Sequence, residues 1–130
     1  MRIEILTLFA SMVLGLMHLI AATQAATKQR GLAWNLSSRE GKMPELTGAA
    51  ARLDRAHKNF HESYIYFVAL ILLIQIQDRF SVLTLVGSQM YFWSRLIYFP
   101  VYGLGIIYVR TALWVLSLLG IIILMASLFI

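Results

Sequence analysis

The chain has 130 residues, room for one domain, of which 60% are apolar or aromatic and 13% charged. A water-soluble domain carries about a quarter charged residues, and a mean hydropathy of +0.76 exceeds what a core this small can bury, so the composition points to a chain dissolved in lipid. The absence of cysteine excludes disulfides, thiolate metal sites and a cysteine nucleophile, and the net charge of +5 is concentrated in one segment rather than spread over a surface.

Residues 4–27 form the first predicted span. After Arg2 and Glu4 the sequence runs ILTLFASMVLGLMHLIAATQAA, about the twenty apolar or small residues that cross a hydrocarbon layer of about 30 Å. A cleavable signal would show a shorter apolar stretch behind a positive start. Here the stretch is longer and the basic residues follow it, so a retained helix is expected. His18 and Gln24 on this helix read as interhelical hydrogen-bonding groups.

Residues 28–47 form the one long polar connection. Gly31, Asn35, Ser37, Ser38, Gly41 and Pro44 argue against regular structure through much of it. Between Lys28 and Lys58 lie seven basic residues, opposed only by Glu40, Glu45 and Asp54. No aromatic pattern accompanies them, so nucleic acid is not an expected partner; in a membrane chain they are a topology signal.

Thr47 reads as a helix N-cap ahead of Gly48 and three alanines. From there one helix is predicted to about Asp78. Its apolar part, Tyr64 to Ile76, is too short to span, so the embedded length extends back to Lys58, giving a span of 58–78 with Asn59 and Glu62 below the headgroups. His57 and His61 stand four apart, but no glutamate lies between them in a zinc-protease arrangement, and no metal site is expected.

After a turn at Asp78 and Arg79, residues 81–103 are the third predicted span, with Arg95 inside it and Pro100 expected to kink or end it. Gly103 and Gly105 mark the next turn, and residues 107–129 form the fourth, charged only at Arg110. Four crossings put Lys28 to Lys58 and Arg110 on one side, eight basic residues against Arg2 and Arg79 on the other. The positive-inside rule places that side, with its long loop, in the cytoplasm. The expected fold is an all-α integral membrane protein, a bundle of four transmembrane helices.

Two stripes carry the chemistry. In the second long helix Arg52, Arg55, Asn59, Glu62 and Tyr66 recur at steps of three and four and share one face. In the third, Arg95, Tyr98 and Tyr102 do the same, and Arg110 opens the fourth helix at the same level. Charged groups at that depth face the bundle interior or a cavity. The plain alternative is a structural ion pair such as Arg95 with Glu62. Arg55, Arg95 and Arg110 outnumber Glu62, and unpaired arginines in lipid are costly. An anionic ligand with one positive group balances them, and glutathione has that pattern. Arginine forks bind its carboxylates, Glu62 takes the ammonium, Asn59 donates and accepts, and a nearby cation favours thiolate over thiol.

The stretches LTGAAARLDRAHKNFHESYIYF and SRLIYFPVYGLGIIYVRTALW resemble the MAPEG family, membrane-associated proteins in eicosanoid and glutathione metabolism. The likeness rests on Arg55-Ala-x-x-Asn59-x-x-Glu62, on Arg95-x-x-Tyr98-x-x-x-Tyr102, and on Arg110-Thr111 with Trp114. It implies a homotrimer that binds glutathione between subunits and conjugates or reduces lipophilic electrophiles. It also implies a location in the inner membrane, as in bacterial-type members. Arg55, Asn59, Glu62, Arg95, Tyr98, Tyr102, Arg30 and Tyr66 would hold glutathione, and Arg110 would stabilise its thiolate. Two positions depart from the family pattern: Ser63 stands where many members carry tyrosine, and His57 replaces a common glutamine. Two rivals remain. One is a non-catalytic lipid-binding or scaffold member of the same fold. The other is a small four-helix exporter, against which stands the lack of any acid in the first span after Glu4.

Overall fold

The computed structural model describes residues 1–130, and every regular element in it is helical: α1 (Ile3–Arg30), α2 (Leu32–Leu36), α3 (Gly48–Ile76), α4 (Val82–Gly103) and α5 (Ile107–Ser127). Three of these, α1, α3 and α5, are long and apolar enough to cross a membrane. The fourth long helix, α4, is diluted by Thr84, Ser88, Gln89, Ser94 and Arg95, yet its 22 residues extend about 33 Å at 1.5 Å each. Lipid explains the surface. Leu6, Phe9, Val13, Leu16 and Ile20 on α1 and Leu116, Leu119, Ile122 and Met125 on α5 are all exposed.

Two clusters fill the interior. Leu8, Phe67, Leu70, Ile71, Ile74, Tyr91, Ile121 and Leu124 form the larger, joining all four long helices. Ala56, Tyr98 and Tyr102 form the smaller, backed by Leu113. Four interior serines are satisfied within their own helix, where no water is at hand: Ser11 donates to Leu8 O, Ser88 to Leu85 O, Ser117 to Trp114 O and Ser127 to Leu124 O. At the end of the bundle remote from the long loop, Glu4 is buried and accepts a 2.7 Å bond from Thr84 Oγ1.

The boundaries differ from the sequence expectation in instructive ways. The long connection contains a short helix, α2, and α1 runs on to Arg30 before Gly31 breaks it at φ 90°. Thr47 does begin α3, but its side chain makes no cap. Instead Gln29 reaches across to Thr47, donating to its carbonyl at 2.9 Å and accepting from its amide at 3.0 Å. Pro100 lies within α4, which continues one turn further to Gly103. Ser81 and Thr84 form a reciprocal capping box at the start of α4.

His18 departs from its predicted hydrogen-bonding role. It is wholly buried, stacked 4.7 Å from Phe60 and 4.2 Å from Phe99 between ring centroids, and neither ring nitrogen has a partner. Its packing is aromatic and its polarity is unused. His18→Phe is therefore expected to raise the melting temperature in detergent by a few degrees, since an apolar ring of similar shape removes an unpaired polar group. A fall in melting temperature would contradict this.

Candidate functional site

Four of the predicted residues, Asn59, Tyr98, Tyr102 and Arg110, meet at the end of the bundle that carries the long loop, where α3, α4 and the start of α5 converge. Asn59, Tyr98, Tyr102, Arg110, Thr111 and Trp114 line a cavity of about 220 Å³. Arg110 is held there by position and by the ring beneath it, its guanidinium carbon lying 4.8 Å from the Tyr102 centroid. It stands in the opening turns of α5, where unpaired backbone N–H groups add partial positive charge. Tyr98 and Tyr102 are themselves buried and 5.3 Å apart between ring centroids, so they form a firm wall rather than a mobile rim.

Arg55 reaches this wall from outside. Its Nε donates to the Tyr102 hydroxyl at 3.2 Å, while Arg52 one turn earlier donates to Gly103 O at 2.9 Å and pins the α4–α5 turn. On its other side Arg55 borders a second hollow of about 290 Å³, shared with Arg30 and with the acidic Glu45 and Asp54, and walled by Met43, Pro44, Leu46 and Ala51. Arg30 donates to Pro44 O at 2.8 Å, which folds the long connection back over the end of α1. Arg30 and Arg55 are thus neighbours across one hollow, and Arg55 links that hollow to the cavity.

Arg95 is placed differently. It is fully buried behind the cavity, with Nη1 donating to Asn59 Oδ1 and Nη2 to Ser63 Oγ, each at 2.7 Å. Ser63 also pairs with the Tyr91 hydroxyl at 3.1 Å. Tyr91 and Ser63 escaped the sequence reading as partners of the site. The signal was present for Tyr91, since the stripe Arg95, Tyr98, Tyr102 extends back four residues to it. Ser63 stood out only as a departure from the family pattern.

Glu62 and Tyr66 lie on the outer face of α3 and are exposed. The ion pair suggested for Arg95 and Glu62 does not form. The side-chain ion pairs are Arg2 with Asp78 at 3.4 Å and Lys58 with Asp54 at 2.8 Å. None of Arg55, Arg95 and Arg110 makes an ion pair with a carboxylate; Glu45 and Asp54 share the outer hollow with Arg55, and no carboxylate lines the cavity at Arg110. Glu62 stands one turn along α3 from Asn59, which lines the cavity.

Chemically, the cavity offers a guanidinium at the head of a helix, two phenols and an amide, in a wall of aromatic side chains. Such a set suits an oxyanion or a thiolate. His57 and His61 meet edge-on at 4.4 Å between centroids, with His61 Nδ1 bonded to His57 O. In comparisons with known proteins, the model of the MAPEG family matches residues 5–130. No curated protein and no solved structure matches the chain.

Proposed function

The chain belongs to the MAPEG family, and on that footing we propose that it is a glutathione-dependent membrane enzyme that attacks lipophilic electrophiles with an arginine-stabilised thiolate. The observation that carries the proposal is the imbalance of charge around one cavity. Arg110 lines it, Arg55 touches its wall and Arg95 lies behind it, and no carboxylate pairs with any of them. Glutathione brings two carboxylates and a thiol to that surplus, and its ammonium suits Glu62.

In the reaction the thiol proton leaves to water and Arg110 holds the resulting thiolate. Sulfur then forms a bond to the electrophilic carbon while the leaving group departs with the bonding pair. The protein supplies position and electrostatic stabilisation, with no covalent enzyme intermediate. The electrophile enters from lipid beside the exposed aliphatic surface of α5.

The assembly follows from the same proposal. A cavity of about 220 Å³ is smaller than the roughly 300–1,000 Å³ usual for ligand sites, and Glu62 and Tyr66 face outward at its edge. A neighbouring copy laid against the outer face of α3 encloses them and completes the site, consistent with a homotrimer. With α4 as the fourth crossing, the arginine-rich end faces the cytoplasm, in the inner membrane if the cell is bacterial.

Calorimetric titration of glutathione into the purified protein tests the reading. Binding is expected, and Glu62→Gln is expected to weaken it about 10- to 100-fold, the range for loss of a charged hydrogen bond. A wild-type protein that binds no glutathione overturns the proposal. Binding without turnover of any electrophile favours a non-catalytic member of the family.

A further inference from the structure

Arg95 heads the fully enclosed side chains by size, and its charge has no carboxylate partner. Its surroundings are instead neutral acceptors and aromatic faces. Asn59 and Ser63 on α3 each accept one 2.7 Å bond. The rings of Tyr91 and Tyr98 lie 5.8 and 5.2 Å from the guanidinium carbon. Ser63 is held in turn by Tyr91 at 3.1 Å. Four residues therefore fix the orientation of a planar fork inside the bundle, and none of the fork's bonds goes to the cavity.

Asn59 joins this inner network to the cavity that it also lines. A carboxamide has an acceptor end and a donor end. Here the acceptor, Oδ1, is bonded to a cationic N–H. Turning the amide over would set its NH₂ against the guanidinium, donor against donor. The arrangement leaves Nδ2 directed away from Arg95. We propose that Arg95 is a positioning residue that acts through Asn59, locking the amide so that its NH₂ is presented to the cavity as a donor for a carboxylate or carbonyl oxygen of the bound peptide. The identity of that peptide as glutathione rests on the function proposed above; the locking itself rests on the geometry.

The fork is what makes the lock. One planar group bonds Asn59 and Ser63 at once, and a lysine ammonium at this position is a point charge on a flexible stem that does not reproduce two fixed bonds. Arg95→Lys keeps the charge and releases the amide.

A double-mutant cycle tests this with glutathione as the probe, read by calorimetry and by the split between KM and kcat. Arg95→Lys is expected to weaken glutathione binding about tenfold, with the loss falling on KM more than on kcat. In an Asn59→Ala background the same substitution is expected to cost nothing further, because the group through which it acts is gone. If Arg95→Lys fails to assemble, Ser63→Ala carries the same cycle, with an expected loss of about threefold that again disappears beside Asn59→Ala. Additive losses in the two backgrounds overturn the positioning role and leave the glutathione reading standing. Failure of the wild type to bind glutathione overturns both.

Discussion

Arg110→Ala is expected to lower kcat for conjugation about 100- to 1,000-fold, the usual range for removing a group that stabilises developing or stored negative charge. Glutathione is expected to remain bound, with an affinity changed by less than the rate. The reasoning is geometric. Arg110 lines the cavity and is the one arginine there whose guanidinium makes no hydrogen bond within the chain; it rests on the Tyr102 ring at 4.8 Å. Arg55 has a bond to Tyr102, and Arg95 has bonds to Asn59 and Ser63, so their removal disturbs the framework as well. Arg110 is free to act on the ligand. The check is the near-ultraviolet thiolate absorbance of bound glutathione followed against pH, beside steady-state turnover. The variant is expected to move thiolate formation to higher pH, because the cation that favoured the ionised sulfur is gone. An unchanged titration and unchanged kcat would remove Arg110 from the mechanism.

The largest structural effect is expected at the crossing of α4 and α5. There Gly87 and Gly120 face each other so closely that a Cβ added to Gly120 would lie 2.7 Å from Gly87 O and 2.9 Å from Tyr91 N. A Cβ on Gly87 would lie 2.9 Å from Gly120 O. The obstacles are backbone atoms, which yield only if one helix moves away. Small residues at such crossings let helices approach where lipid supplies no hydrophobic drive to hold them together. Gly120→Leu is therefore expected to abolish recovery of folded protein from detergent, and Gly120→Ala to destabilise it by about 1–3 kcal/mol, the usual cost of overpacking. The displacement also reaches the site, since Tyr91 and Arg95 ride on α4 and Arg110 on α5. Normal yield, melting temperature and glutathione affinity in Gly120→Leu would show that the two helices are not held at this distance.

Much was legible before any coordinates. Long apolar runs mark α1 and α5, the run from Tyr64 to Ile76 extended back to Lys58 marks α3, and Pro100 with Gly103 and Gly105 marks the end of α4. The spacing of Arg95, Tyr98 and Tyr102 put them on one face, and that face is buried. Thr47 located the start of α3, although the long-range contact with Gln29 that secures it could not be read from local sequence. Pro100 lies inside α4, which ends three residues later at Gly103.

The azimuth of each stripe was a different matter. Periodicity grouped Arg55, Asn59, Glu62 and Tyr66 on one face of α3. The buried face proves to be the adjacent stripe of Ala56, Phe60, Ser63, Phe67 and Ile71. Asn59 lies between the two, while Arg55, Glu62 and Tyr66 point outward. In water, polarity tells a helix which face to turn to solvent. A helix in lipid has apolar residues all round, so its sequence states which residues travel together but not toward which neighbour. That choice belongs to packing: Phe60 against His18, Phe67 against Tyr91 at 4.2 Å, and Gly87 against Gly120 rotate the helices into place. Through that rotation Arg95 is enclosed and Arg110 is left facing the cavity.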